Sequence, residues 1–385
     1  MDLSAFNLNE TLYWVDYIVF LIFILSVAYV FIFSVASLRK VRSHYPKAAK
    51  QYRYVIIIPA WRGMDQNIIE SVWSFQQQQY PSDKFNTVVV ADSLENDTII
   101  DLEKMSAIVF ERSSSTGGKK GAIAHALKKL GPSAYDVLIL MNANNTVDDT
   151  YLSEINKAFH SGGMAIQTHR VSKKQTSNLS HLSALTEEIN NSLFRRGHVN
   201  MGFSSSLIGS GMAFNYDWFF ENAELTDNTD LTKQLEAHLL KQGIFIEYLE
   251  DIYTYDEKIK SVSAYHRQRK EWSVSKQPIK KNTLKDFPRA LFAGNFDYCD
   301  KLFQWMLPSK VLLLGFIIII AAVLTYLEMP QALKWWILLG TLLLSYVLAI
   351  PDKFLTFRTF WALIMLPVLF ISILFNKLFF RFRKS

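Results

Sequence analysis

The chain has 385 residues, of which 50% are hydrophobic, and this length allows a full-size folded domain together with membrane segments. The formal net charge is only +6, and no basic stretch interleaved with aromatic residues is present, which excludes nucleic acid as a partner and favours membrane topology as the origin of the surplus. The single cysteine, Cys299, excludes an intrachain disulfide and a cysteine-based zinc site, so any metal would need carboxylate, amide or histidine ligands.

An N-terminal segment, residues 13–38, is apolar apart from Asp16 and a few serines, and it is long enough to cross a bilayer. A signal peptide is the competing interpretation, but no basic region precedes the segment and no small-residue cleavage site follows it. Six basic residues come directly afterwards: Arg39, Lys40, Arg42, Lys47, Lys50 and Arg53. The positive-inside rule therefore predicts an external N-terminus and a cytosolic middle region.

The middle region alternates strand-like and helix-like patterns. Short apolar runs at 55–59, 87–91, 108–110 and 136–141 indicate strands, and periodic stretches at 67–79, 120–130, 179–195 and 229–242 indicate helices. This order predicts an α/β domain with a doubly wound, mostly parallel, Rossmann-like sheet. Ligands of such sheets bind at the carboxyl ends of the strands, where Asp92, Asn142 and Asn144 follow apolar runs.

The C-terminal part is again apolar. Residues 284–306 mix aromatic and charged side chains, which favours a helix in the membrane interface over an ordinary amphipathic surface helix. Apolar runs follow at 311–327, 335–350 and 360–380. If all three crossed the membrane, Arg381, Arg383 and Lys384 would lie outside, against the charge rule, so one run could be re-entrant or interfacial, and Pro367 is a candidate break.

These patterns divide the chain into an N-terminal transmembrane helix, a cytosolic domain, an interfacial helix and a C-terminal transmembrane region, at residues 1–40, 50–280, 284–306 and 307–385. We expect a multi-pass protein of a bacterial inner or cell membrane, with its main domain in the cytoplasm.

Six short motifs occur in a recognisable order between residues 54 and 273. They are Ile58-Pro59-Ala60, Tyr80-Pro81 followed by Val88-Val89-Val90-Ala91-Asp92, Lys120-Gly121-Ala122-Ile123, Gly209-Ser210-Gly211-Met212-Ala213, Asp256-Glu257, and Gln268-Arg269-Lys270-Glu271-Trp272. Together they resemble a membrane-bound family-2 glycosyltransferase of the polysaccharide-synthase type, which has a GT-A fold. No single motif is specific, but their order and spacing are.

The resemblance implies a nucleoside-diphosphate sugar as donor, with a UDP-sugar expected, and a glycan or lipid as acceptor. It also implies the lipid bilayer and other glycan-assembly subunits as partners. It implies a nucleotide-sugar site formed by Pro59, Ala60, Asp92, Lys120, Asn142 and Asn144. It places Gly209, Ser210, Gly211, Gln268, Arg269 and Trp272 at the acceptor side and the closing motif.

The family's chemistry needs a divalent metal to neutralise the departing diphosphate and a carboxylate base to take the acceptor proton. The sequence departs from the family at both places, with Asn142-Ala143-Asn144 instead of Asp-x-Asp and Asp227-Asn228 instead of an acid followed by Asp. An amide ligand adds no charge and has no useful basicity, so binding of Mg²⁺ or Mn²⁺ should be weakened. Trp61-Arg62-Gly63 replaces a usual Asn-Glu pair, and Glu271 replaces a usual Arg.

Several residues could compensate. Asp227 could act as the base, Asp148 and Asp149 could hold a metal, and a set of cations could neutralise a diphosphate without metal: Arg62, Lys119, Lys120, Arg269 and Lys270. Purely structural roles are also open, since Asp92 could cap a turn and Asn142 and Asn144 could be turn residues. Three functions follow: an active glycosyltransferase, an inactive partner or regulatory subunit of a glycan assembly complex, and, more weakly, a transport component.

Overall fold

The computed structural model describes residues 8–40, 45–112, 117–173, 177–223, 225, 230–256, 277–363, 370 and 371. An eight-stranded sheet forms the centre of the domain. Its strands are β1 (Tyr54–Trp61), β2 (Phe85–Asp92), β3 (Ile108–Glu111), β4 (Val137–Leu140), β5 (Asn145–Val147), β6 (Ala165–Ser172), β7 (Met212–Asn215) and β8 (Ile246–Asp256), in the spatial order β3-β2-β1-β4-β7-β6-β8-β5. The predicted α/β fold class is confirmed.

The sheet is mixed. Strands β3, β2, β1 and β4 run parallel, whereas β7 is antiparallel to β4 and to β6, and β8 is parallel to β6. Four of the seven strand pairs are therefore parallel. The reversal at β7 has a consequence for the site. The carboxyl ends of β1, β2, β4 and β8 and the amino end of β7 all lie at one edge of the sheet, which we call the site edge.

Helices surround the sheet and continue beyond it. They are α1 (Leu8–Ala36), α2 (Asp65–Gln76), α3 (Asn96–Lys104), α4 (Gly118–Leu130), α5 (Tyr151–His160), α6 (Asn178–Asn191), α7 (His198–Asn200), α8 (Tyr216–Asn222), α9 (Leu231–Lys241), α10 (Gln277–Phe292), α11 (Phe296–Met306), α12 (Lys310–Tyr326), α13 (Ala332–Ala349) and α14 (Phe357–Leu363). A π-helical turn, Ser192–Gly197, joins α6 to α7, and single 3-10 turns occur at Ser82–Lys84 and Asp352–Phe354.

The core has a layer on each face of the sheet. Alternate residues of β1 point to opposite faces, so Val55 and Ile57 pack with α4 and α9, and Ile56 and Ile58 pack with α2 and α5. All four side chains are fully buried. A strand buried on both faces must be apolar throughout, which is why the β1, β2 and β4 runs were recognisable in the sequence.

Candidate membrane helices flank the domain. Within the described residues, two helical segments are long and apolar enough to cross a membrane by length and composition, Tyr13–Ala36 of α1 and the whole of α13. A third span arises only if α11 and α12, which meet at a bend of 60°, are counted together. The apolar run at 360–380 falls mostly outside the described residues.

The predicted interfacial helix, residues 284–306, is in fact two helices. Helix α10 ends at Phe292 and α11 begins at Phe296, and Gly294 adopts a positive φ of 70° between them. Glycine takes this conformation without the steric penalty that a Cβ atom brings, so the chain can turn here. The exposed side chains of Leu291, Phe292 and Phe296 lie at this turn.

Helix α1 is joined to α13 by the one acidic residue of its apolar segment. Lys334 pairs with Asp16, and the indole nitrogen of Trp335 donates to Asp16 Oδ1 at 2.8 Å. A carboxylate in an apolar helix is costly unless it is paired and hydrogen-bonded, and here it is both. Asp16 is therefore compatible with a membrane-spanning α1.

Candidate functional site

The turn after β4 brings three polar side chains to the site edge. The backbone N–H of Asn142 donates to Ser210 Oγ at 3.0 Å. The side-chain nitrogens of Asn144 and Asn145 donate to the same oxygen, Oδ1 of Asp256, at 3.0 and 2.9 Å. The end of β4 and the end of β8 are thus tied together through one carboxylate, although Asp256 follows Asn145 by more than a hundred residues.

Lys119 reaches the same place from α4. Its ammonium group donates to Oδ1 of Asn142 at 2.6 Å and to the backbone oxygen of Gly209 at 2.5 Å. Both acceptors are neutral oxygens. Burial, followed by the positive charge of Arg170, lowers the pKa of Lys119 to about 8. The protonated form therefore still dominates at pH 7.

A glycine loop closes the site. Gly209 and Gly211 have φ of +91° and +64°, in the left-handed region that favours glycine. A Cβ atom on Gly211 would lie 2.4 Å from Thr168 Oγ1 and 2.5 Å from Thr254 Oγ1, so this position also requires a residue without a side chain. The N–H of Gly211 donates to the carbonyl of Leu140 at 3.0 Å, which fixes the loop against β4.

A cleft lies at the carboxyl ends of β1 and β2. It is lined by Arg62, Gly63, Asp65, Ser93, Leu94 and Glu95. Asp92 lies beside it, because its Cα pairs with that of Trp61 and its backbone oxygen accepts from the N–H of Arg62 at 3.1 Å. The N–H of Glu95 donates to Asp65 and, together with other hydrogen bonds, holds the pKa of that carboxyl below its usual value. The cleft combines the guanidinium of Arg62 with the carboxylate of Asp65, whose pKa is lowered.

The remaining residues predicted for the site have different positions. Pro59 and Ala60 are buried within β1 and contribute backbone and core packing below the cleft. The ammonium of Lys120 donates to Gln234 Oε1 on α9 at 2.7 Å, so it faces away from Asn142. The site residues Asp227, Asn228, Gln268, Arg269 and Trp272 lie outside the described residues.

The two acids considered as alternative metal ligands are exposed beyond β5. Asp148 accepts from the hydroxyl of Tyr255 at 3.1 Å, and Asp149 accepts from Gln79 Nε2 at 2.5 Å. These contacts direct both carboxylates toward β8 and the residues after α2.

The side chains that the structure describes at the site edge do not fit a divalent cation. Mg²⁺ and Mn²⁺ need several oxygen ligands, among them carboxylates. Here the Asn142 side-chain oxygen already accepts from Lys119, and the Asp256 oxygen accepts from two amides. Among the described residues, no group of three or more histidine, cysteine, aspartate or glutamate side chains could hold a metal ion.

Sequence reasoning assigned Lys120 to the nucleotide-sugar site and considered Lys119 only as an alternative cation, and it named Asp256 in a family motif but not as a site residue. Lys119 and Lys120 are neighbours in the first turn of α4, and adjacent helical residues point about 100° apart, so only one of them can face the site. The sequence did contain a signal for Asp256. This residue ends a stretch in which polar and apolar residues alternate, and such alternation is typical of a half-buried strand like β8.

Comparison with known proteins identifies the family. The family model "Glycosyl transferase family group 2" matches residues 137–375, which is more than half of the chain. A search of curated protein sequences found no significant match. The chain therefore belongs to glycosyl transferase family group 2, as its motifs indicated.

Two solved structures are similar in fold. The mannosyltransferase PcManGT from Pyrobaculum calidifontis, in complex with GDP-Man and Mn²⁺, superposes with a TM-score of 0.53 at 15% identity, over 86% of this chain and 96% of that chain. S. aureus TarS 1-349, in complex with UDP-GlcNAc, gives a TM-score of 0.46 at 14% identity, over 78% and 82%. The similarity to PcManGT and the family match show that the fold is of the GT-A type.

Proposed function

We propose that this chain is a membrane-anchored glycosyltransferase that takes a nucleoside-diphosphate sugar at the site edge and acts in envelope polysaccharide or glycolipid assembly. The observation that carries the proposal is the convergence of the β4 turn, the glycine loop and Asp256 beside the β1–β2 cleft. These elements come from five parts of the sequence, and packing alone does not require their polar groups to meet.

The two halves of the site suit the two ends of the donor. The cleft beside Asp92 would take the nucleoside, because carboxylates there can accept from ribose hydroxyls and base N–H groups. The diphosphate would then extend along the strand ends toward Lys119 and Asn142. PcManGT, which shares this fold, holds GDP-Man, and we propose a nucleotide sugar for this chain by analogy.

In the proposed reaction the bond between the sugar C1 and the diphosphate oxygen breaks, and its electron pair stays on that oxygen. The acceptor oxygen forms the new bond to C1, and its proton passes to a base, for which Asp227 is the sequence candidate. The negative charge that develops on the diphosphate must be stabilised by cationic groups.

Two candidate membrane helices support anchoring. A cytosolic domain held against a bilayer by α1 and α13 has direct access to an acceptor attached to lipid or emerging through the membrane. We therefore propose a lipid-linked or polymeric glycan as the acceptor, with other assembly subunits as partners. An alkaline wash of membranes should leave the chain in the pellet, and its complete release would contradict the anchoring.

A second candidate function is an inactive partner of a glycan assembly complex. The amides at positions 142 and 144 favour it, because they supply neither the charge nor the geometry of a metal site. In this case the donor site would bind nucleotide sugar without turning it over.

One experiment separates these functions. The full chain, purified in detergent, would be titrated calorimetrically with UDP, GDP, UDP-GlcNAc and GDP-Man, and release of nucleoside diphosphate would be followed with a membrane lipid extract as acceptor. Binding with turnover supports the enzyme, and binding without turnover supports the inactive partner. Absence of binding for every nucleotide, with and without Mn²⁺, would overturn both.

A further inference from the structure

The inference concerns Lys119 and rests on the proposed nucleotide-sugar site. Its ammonium group donates to the side-chain oxygen of Asn142, the first polar residue of the turn after β4. Its second acceptor is the carbonyl of Gly209 in the glycine loop. An amide oxygen and a carbonyl oxygen therefore hold this ammonium in place without neutralising it. The solved structure of PcManGT, which has this fold, contains Mn²⁺ together with its nucleotide sugar.

The charge of this ammonium is not cancelled locally. In the ranges that the structure describes, no ion pair joins Lys119 to a carboxylate, and both oxygens it contacts are neutral. The nearby carboxylate of Asp256 is bound by the amides of Asn144 and Asn145, and the guanidinium of Arg170 pairs with Glu187 at 2.7 Å. An aspartate at position 142 would instead form an ion pair with Lys119 and neutralise it.

The start of α4 adds to this positive field. Gly117 precedes the helix with a φ of 80°, and the first turn contains Lys119 and Lys120 but no acidic residue. The N-terminus of a helix carries partial positive charge, so acids are preferred there and lysines are unfavourable. Lys119 breaks this preference and reaches the site edge, which is consistent with a place for an anion.

We propose that Lys119 takes the place of the divalent cation and binds the diphosphate of the donor directly, so that this chain binds nucleoside diphosphates without metal. Asn142 is the second residue of this proposed phosphate-binding arrangement. It orients the ammonium through its side-chain oxygen and leaves the full positive charge for the phosphate oxygens.

The test is calorimetric titration of the full chain in detergent with UDP and GDP, once with EDTA and once with excess Mn²⁺. The wild type should bind with the same dissociation constant in both buffers, within about twofold. Lys119→Gln should weaken binding in EDTA by about tenfold or more, the usual loss for a hydrogen bond to a charged group. Lys119→Arg should recover part of the affinity, and Lys128→Gln, which alters an exposed lysine of the same helix, should match the wild type.

A second variant keeps the test decisive if Lys119→Gln fails to fold. Asn142→Asp should form an ion pair with Lys119 and weaken nucleotide binding in EDTA, whereas a simple loss of metal ligands predicts that this change strengthens binding when Mn²⁺ is present. Wild-type binding that strictly requires Mn²⁺, or Lys119→Gln that binds as tightly as the wild type in EDTA, would overturn this inference alone. Absence of binding by the wild type in both buffers would overturn the proposed function as well.

Discussion

The side-chain nitrogen of Asn144 lies 3.0 Å from Oδ1 of Asp256. An amide at this position can donate a hydrogen to that carboxylate, whereas a second carboxylate cannot. The amide at position 144 is therefore chemically matched to its neighbour on β8. Asn145, which is fully buried, makes a similar bond to the same oxygen, so the contact is part of how the β4 turn is held.

We predict that Asn144→Asp lowers the free energy of unfolding by about 1–3 kcal/mol, because it replaces a hydrogen bond with two carboxylates at close range. The loss should shrink at low pH, where one of the carboxylates becomes protonated. Chemical denaturation in detergent at pH 7.5 and pH 5 measures both effects. Asn86→Asp, the same change at an exposed residue of β2, should alter stability by less than about 0.5 kcal/mol. Equal effects of the two substitutions on stability would contradict a stabilising role of the hydrogen bond between Asn144 and Asp256.

A second prediction separates close packing from backbone strain at the glycine loop. Gly211→Ala should destabilise the protein by more than about 2 kcal/mol, since the new methyl group meets the hydroxyls of Thr168 and Thr254 in a conformation that itself disfavours alanine. Gly243→Ala is the matched control, because Gly243 has a similar φ of +70° with nothing within 4 Å of the added Cβ. Thermal unfolding measures the destabilisation caused by each substitution, and the difference between Gly211→Ala and Gly243→Ala gives the part that is due to steric overlap. If the control is equally damaging, the packing argument fails.

The cleft at β1 and β2 gives a binding prediction. Arg62→Ala should weaken UDP or GDP binding by about three- to tenfold, because an exposed guanidinium contributes a charge-assisted contact that solvent partly screens. Lys84→Gln removes a cation near the opposite end of β2 and should change the dissociation constant by less than about twofold. Isothermal titration of both variants checks this. An unchanged affinity in Arg62→Ala would place the nucleotide elsewhere.

A pH prediction concerns His181 on α6. Burial, followed by the positive charge of Arg358, holds the pKa of this histidine below its usual value. Its Nε2 contacts Thr359 Oγ1 on α14 at 2.8 Å. The contribution to stability is present above the ordinary pKa of about 6.5 and is lost as the pH falls below it, because the unfolded chain then binds a proton more readily than the folded chain.

The free energy of unfolding of the wild type should therefore fall more steeply between pH 7 and pH 5 than that of His181→Gln, which has no titratable group there. Denaturant titrations of both proteins at several pH values provide the comparison. Parallel curves for the two proteins would show that His181 titrates as it does in an unfolded chain.

The parts of the fold that could be predicted are the strands whose apolar sequence pattern matches their burial in the folded domain. Strands β1, β2 and β4 are apolar throughout because both faces are covered, and the carboxyl-end rule placed Asn142 and Asn144 at the site edge. Strand β6 was not predicted, because it buries Gln167, Thr168, His169 and Arg170, and such a run lacks a strand pattern. Two of these polar side chains find carboxylate partners on α6, since His169 contacts Glu188 and Arg170 Nη2 donates to Glu187.

The site could be predicted only in part for a related reason. The sequence places polar residues at strand ends, but it does not state which side chains will bond to each other. The contact between Lys119 and Asn142 depends on the rotation of α4 about its axis, and the contact between Asn144 and Asp256 depends on the antiparallel pairing of β5 with β8. Both are consequences of three-dimensional packing.

Gly197 lies where the π-helical turn meets α1. A Cβ atom at this residue would lie 2.4 Å from the backbone oxygen of Phe33, and the ring of Phe33 stacks on His198 at 3.7 Å. Tyr29, one turn earlier in α1, donates to Asp300 on α11 at 2.9 Å. These contacts pack α1 tightly against the glycosyltransferase domain, so we expect the helix and the domain to move as one rigid unit. If α1 crosses a membrane as proposed, these contacts set the distance between the proposed donor site and the bilayer surface, and an acceptor would have to reach the site at that distance.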